Sequence, residues 1–145
     1  MPEKKTLERA RKDKREGKAP STQAGEFVRE EIEHIREGKH GARSTKQAIA
    51  IGLSKARRAG VDLPVPENAP EETKEQAKRD RRKGAKRATK KSTKRSRATL
   101  SALKREGRSA ATKRALSRQA RSAAKKRSAK SRSRSAKKAA ATRKK

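Results

Sequence analysis

The large apolar side chains concentrate between residues 20 and 60. Ala24, Phe27, Val28, Ile32 and Ile35 recur three and four positions apart, which places them on one stripe of a helix. Pro20-Ser21-Thr22 is a helix start, Arg36 falls in the last turn, and Gly38 is a natural stop. A short loop, GKHGAR (residues 38–43), follows. Ser44-Thr45-Lys46-Gln47 then reads as a capping box, with Ser44 as the N-cap and Gln47 reaching back. The second helix is expected to run to about Ala59, with Arg57 and Arg58 favourably placed at its C-terminal end and Gly60 ending it. Ile49, Ile51 and Leu53 alternate with Ala50 and Gly52, which is also a strand pattern. Caps at both ends and the Ala, Lys and Gln content favour the helix. On that helix Ala48, Gly52, Ala56 and Gly60 form a small-residue face that lets another helix approach closely.

The flanking segments offer much less to bury. Residues 1–19 form a mixed-charge arm with Leu7 as its large apolar residue, and fraying is expected there. Residues 61–70 (VDLPVPENAP) contain three prolines and read as an extended linker, whose Val61, Leu63 and Val65 can fold back over the hairpin. Residues 71–83 place acids early and bases late, matching the helix dipole, and predict an exposed charged helix. Residues 84–145 are low complexity, built from Lys, Arg, Ala, Ser and Thr. Arg108-Ser109-Ala110-Ala111, Arg121-Ser122-Ala123-Ala124 and Arg127-Ser128-Ala129-Lys130 recur as imperfect units, and Leu100, Leu103 and Leu116 are the only large apolar residues. The expected fold is all-α: a small helical hairpin followed by a long, mostly disordered polycationic tail. A pair of helices below about 40 residues needs help to hold a core. A homodimer, a heterologous partner or the 61–65 segment would each supply it.

Charge divides the chain more sharply than hydropathy does. Residues 1–80 carry 19 basic and 15 acidic residues, whereas residues 81–145 carry 28 basic residues and one acid, Glu106. Paired with phosphates, the tail's net +27 would neutralise roughly 46 Å of duplex, on the order of 14 base pairs. Phe27 is the only aromatic residue. Base stacking on aromatics, the usual device of single-strand and RNA readers, is therefore absent. That favours backbone contacts, and duplex DNA over RNA. The candidate nucleic-acid contacts are Lys39, Arg43, Ser44, Lys46, Arg57 and Arg58 around the second helix, and Arg81, Arg82, Lys83 and Lys86 beyond the linker. Along the tail they are Arg87, Lys90, Lys91, Lys94, Arg95, Arg97, Lys104, Arg105, Arg108, Lys113, Arg114, Arg118, Arg121, Lys125, Lys126, Arg127, Lys130, Arg132, Arg134, Lys137, Lys138, Arg143, Lys144 and Lys145. The loop cations gather where free helix N–H groups favour an anion, which suggests a phosphate clamp beside ordinary capping.

Other chemistries find little support. There is no cysteine, so disulfides, thiol catalysis and thiolate metal sites are excluded. No secretory signal follows the charged start, and no apolar run is long enough to span a membrane. A cytoplasmic, nucleoid-associated protein is expected. Gly38, Lys39 and Gly41 fall short of a Walker loop. His34 and His40 lie near Glu30, Glu31, Glu33 and Glu37, but the acids read as a solvated helix face, and no metal is expected. No catalytic constellation, cofactor or small-molecule substrate is indicated.

The stretch PSTQAGEFVREEIEHIREGKHGARSTKQAIAIGLSKARRAGV (residues 20–61) resembles a group of small basic bacterial proteins, some carrying DNA-binding or plasmid-stabilisation labels. The resemblance covers roughly the first 65 residues and is most specific in GKHGARSTKQAIAIGLSKARRAG; it implies DNA association and supplies no catalytic residues. Separately, SAKKAAATRKK (residues 135–145) is similar in composition to the tails of linker histones. The leading expectation is a histone-like protein that binds DNA without sequence preference. The alternatives are a plasmid-stabilisation accessory whose hairpin docks on a specific partner, and an RNA-binding or ribosome-assembly chaperone.

Overall fold

The computed structural model describes residues 2–86 and 92–143. Every regular element among them is helical: α1 (Lys4–Arg15), α2 (Pro20–Arg36), α3 (Thr45–Arg58), α4 (Glu71–Ala85), α5 (Thr93–Arg105), a 3₁₀ turn (Ser109–Ala111), α6 (Lys113–Lys125) and α7 (Ala129–Arg143).

Helices α2 and α3 form the expected hairpin, and local chemistry sets its ends. Pro20 occupies the first turn of α2, where its missing N–H costs nothing. Gly38 and Gly60 adopt positive φ, +76° and +89°, and so end α2 and α3. Ser44 caps α3 by accepting from the Gln47 N–H at 3.2 Å, while Gln47 Oε1 accepts from the Arg43 N–H at 2.7 Å. Residues 48–53 are helical, so the competing strand pattern is not used. The small-residue face meets α2 of the same chain. Ala48, Gly52 and Ala56 are buried, and a Cβ on Gly52 would stand 2.7 Å from Val28 Cα.

The hairpin is covered within one chain. Residues 4–15, expected to fray, form α1 and pack on α2 through Ala10 and Leu7. Val61 and Leu63 fold back to join Ala10, Ala24, Phe27 and Ala56 in one apolar cluster. Helix α4 keeps most of its residues exposed, as expected, but one side of it is not solvated. It packs on α3 through buried Ala77 and Asp80, and the absence of a side chain at Gly84 lets it come close to the Arg58 carbonyl.

The tail departs furthest from expectation. Instead of one long disordered segment, its described residues are mostly helical, and part of it is built into the core. Ala110 and Ala111 are buried with Ile32, Ile35, Ala42 and Ala48, and Val28 and Leu116 pack at the edge of this second cluster. Four hydrogen bonds fasten the segment. The Gly41 and Ala42 N–H groups donate to the carbonyls of Leu103 (2.9 Å) and Gly107 (3.1 Å). Thr45 Oγ1 donates to the Ala110 carbonyl (2.7 Å), and Arg36 Nε to that of Ala111 (2.9 Å). Gly41 has to be glycine at this crossing, because a Cβ there would collide with the Glu106 carbonyl.

Two glycines test this packing in opposite directions. A Cβ on Gly25, in α2, meets nothing within 4 Å, so Gly25→Ala should stabilise the fold by about 0.4–1 kcal/mol through the unfolded state. Gly52→Val places new bulk against the α2 backbone and should cost about 1–3 kcal/mol. Chemical-denaturation midpoints of the two variants measure both effects.

Candidate nucleic-acid interface

The structure sorts the candidate cations into those committed to acids or backbone and those left facing solvent. Lys39 is committed: its ammonium lies 2.9 Å from Glu37 and 3.3 Å from Glu3. Hydrogen bonding to Glu37, then to Glu3, holds it above its ordinary range. Arg58 places two guanidinium nitrogens 2.8 Å from Oδ1 of the fully buried Asp80. Asp80 also accepts from Ser54 Oγ at 2.7 Å and Gln76 Nε2 at 3.3 Å. Arg81 reaches the Leu63 carbonyl at 3.0 Å and Asp62 at 3.1 Å. Arg57 is partly enclosed, and burial pushes its guanidinium below the usual range.

The phosphate clamp expected around the start of α3 is largely spent on folding. Ser44 caps the helix and Thr45 holds the tail backbone. His40 turns inward to Glu31. Arg43 and Lys46 remain exposed.

The tail cations behave differently. Among the described residues, no cation from Arg82 to Arg143 is ion-paired. Helix α6 gives them order. Ala115, Leu116 and Gln119 turn inward, and Leu116 packs on the second core cluster. Arg114, Arg118, Arg121 and Lys125 then fall at helical spacing on the outer side. With Ser117, Ser122 and Lys126 they line one shallow groove. Arg108 lies against the loop at Gly38, and Lys113 stands exposed at the start of α6. On α5, Lys94, Arg95, Arg97, Lys104 and Arg105 are exposed. So are Arg82, Lys83 and Lys86 around the end of α4, and Lys130, Arg132, Arg134, Lys137, Lys138 and Arg143 on α7. Arg127 hydrogen-bonds to the Ser131 hydroxyl and carbonyl. The candidates Arg87, Lys90, Lys91, Lys144 and Lys145 lie outside the described residues.

Two groupings escaped the sequence reading. The first is the groove on α6, whose alternation of Ala115-Leu116-Gln119 with Arg114-Arg118-Arg121 is an amphipathic signal masked by the tail's composition. The second lies beside the loop between α2 and α3, where the tail crosses. Glu30 and Glu31 are 3% and 1% exposed, a buried pair of acids rather than a solvated face. Lys55 of α3 stands 2.6 Å from Glu31 and 3.5 Å from Glu30. His40 Nε2 is 3.2 Å from Glu31 Oε1, and His40 Nδ1 is 3.0 Å from the Gly41 carbonyl. His34 Nε2 is 2.9 Å from Glu3 Oε1.

The model of the Family of unknown function (DUF6496) matches residues 4–67, less than half of the chain. The match spans α1 to α3 and stops short of α4 and the tail. No curated protein and no solved structure matches the chain.

Structural and binding cations should separate by mutation. Arg58→Gln removes charge-assisted hydrogen bonds to buried Asp80 and should lower stability by about 1–3 kcal/mol. A fluorescence-anisotropy titration with duplex DNA should show it binding within about threefold of the wild type, since it removes at most one phosphate contact among many.

Proposed function

We propose that this protein binds DNA without sequence preference, by phosphate neutralisation, as a histone-like, nucleoid-associated protein. The observation that carries the reading is the cationic groove of α6, with Arg114, Arg118, Arg121 and Lys125 unpaired by acids and held on a helix docked to the hairpin. These four residues span about 16 Å of helix. That length of duplex carries roughly nine phosphate charges, so these four cations alone neutralise fewer than half of them. The exposed cations of α5 and α7 supply the remainder. Guanidinium forks suit phosphate oxygens, and the groove serines add neutral donors. The chain has no aromatic residue beyond Phe27, which is buried, so base stacking contributes nothing.

The rival readings draw less support. A hairpin that docks on a specific partner needs an uncovered apolar face, and the hairpin's stripe and small-residue face are covered by α1, α4, the 61–63 segment and the 3₁₀ turn. The same coverage removes the physical need for a homodimer. Leu100, 45% exposed, is the one large apolar side chain left open among the described residues. No helix among those residues is long and apolar enough to cross a membrane.

The test is a salt series on the full chain and on a variant carrying Arg114→Gln, Arg118→Gln, Arg121→Gln and Lys125→Gln. Glutamine preserves helix propensity and leaves Leu116 in place. Wild-type affinity for duplexes of unrelated sequence should agree within about threefold and fall steeply with salt, each phosphate contact contributing a log–log slope of about −0.9. The variant's slope should be shallower by about 3 to 4. An affinity nearly flat in salt, or an unchanged slope in the folded variant, would contradict the mechanism. A clear preference for structured RNA in direct competition would move the reading to an RNA chaperone.

A further inference from the structure

We propose that Glu31, His34 and His40 form a binding site for a zinc-class divalent cation. One side-chain oxygen of Glu31 and one ring nitrogen of each histidine lie within 4.8 Å of one another. Glu31 is 1% exposed, and the two histidine side chains are 10% and 15% exposed, so the ligand atoms converge in a largely dry place. Tetrahedral zinc binds such donors at about 2.0–2.1 Å, which sets neighbouring ligand atoms roughly 3.4 Å apart. Glu31 Oε1 and His40 Nε2 already stand at 3.2 Å, and a His34 ring nitrogen lies within 4.8 Å of the other ligand atoms; if its Nε2 is the ligand, it exchanges its present partner, Glu3 at 2.9 Å, for the ion.

The hydrogen bonding of His40 points the same way. Its Nδ1 faces the Gly41 carbonyl and its Nε2 faces a carboxylate oxygen. In the tautomer that donates Nδ1–H to the carbonyl, Nε2 offers its lone pair beside Glu31 Oε1, where a metal ion would join the two. A metal-bound histidine donates its other N–H to a carbonyl in this way. Glu31 is prepared as well, because Lys55 holds its second oxygen at 2.6 Å and leaves Oε1 as the ligand. Charge agrees with a dication. Among the described residues, Glu3, Glu30, Glu31 and Glu37 meet Lys39 and Lys55 besides the two histidines, so with neutral imidazoles the four acids exceed the two lysines by two charges. Two imidazole nitrogens and one carboxylate oxygen, without thiolate, suit zinc, or cobalt as its spectroscopic substitute, rather than magnesium or calcium. Glu31 and His34 are one helical turn apart on α2, and the loop brings in His40. The groove lined by Gly38, His40, Gly41, Lys104 and Glu106 gives an ion a way in.

The site would act as a clamp. His40 immediately precedes Gly41 and Ala42, whose N–H groups hold the tail. A metal on His40 would fix the loop and, through it, the docking of residues 103–111.

The experiment uses the full chain, metal-stripped, titrated with Co²⁺ and then Zn²⁺. One equivalent of cobalt should produce the visible d–d bands of a tetrahedral nitrogen–oxygen site, and zinc should displace it and raise the melting temperature, whereas Mg²⁺ should do neither. His34→Gln and His40→Gln, checked for helicity by circular dichroism, should each weaken zinc binding at least about tenfold. A spectrum no different from aqueous cobalt, or folded histidine variants that bind zinc as tightly as the wild type, would overturn the proposal. If the variants do not fold, the wild-type cobalt spectrum and stoichiometry decide it alone.

Discussion

A lysine- and arginine-rich segment has no apolar reason of its own to fold. Here it is held by backbone hydrogen bonds across a crossing that only glycine permits. The Gly41 and Ala42 N–H groups donate to the carbonyls of Leu103 and Gly107, and the Thr45 and Arg36 side chains donate in the same direction to those of Ala110 and Ala111. Buried carbonyls without donors would be costly, so the hairpin's backbone and side-chain donors that satisfy them decide whether the tail docks. Three consequences follow from this one crossing. The 3₁₀ turn closes the second core cluster. Helix α6 is oriented with its cations outward. His40, beside the crossing, is turned inward onto Glu31.

The apolar core beneath is thin, with alanines at most of its positions and a single aromatic residue, Phe27. Paired charges share in joining the helices. Lys55 of α3 reaches Glu31 of α2, and Arg58 of α3 reaches Asp80 of α4. Burying such pairs costs desolvation that their attraction only partly offsets. They nevertheless bridge α2 to α3 and α3 to α4 at defined positions.

The sequence carried those features that depend on neighbours in the chain. Ser44 with Gln47, the stops at Gly38 and Gly60, and the small face at Ala48, Gly52 and Ala56 each have local signatures, and each sits in the structure as its chemistry dictates. The docked tail has no such signature. Arg108-Ser109-Ala110-Ala111 and Arg121-Ser122-Ala123-Ala124 are the same tetrapeptide, yet Ala110 and Ala111 are buried and Ala123 and Ala124 are exposed. The difference lies in donors more than 60 residues away, which composition cannot reveal. Helices α1 and α4 were obscured in a similar way, because Ala10 and Ala77 bury little area and Asp80 looks like any surface acid until Arg58 meets it. On the candidate interface, composition marked the cation-rich tail but could not separate Lys39 and Arg58, spent on acids, from Arg114 and Arg118, which are not ion-paired.

The face proposed to bind phosphate is held in place by the hairpin, in contrast to a loose polycation. Amide exchange and chemical-shift mapping by NMR, on the free protein and with duplex DNA added, address that claim directly. In the free protein the Gly41 and Ala42 amides should already be protected, and DNA should perturb chiefly Arg114, Arg118, Arg121 and Lys125 and their neighbours on α5 and α7. Unprotected amides at Gly41 and Ala42, with DNA-induced shifts spread evenly along residues 92–143, would contradict it.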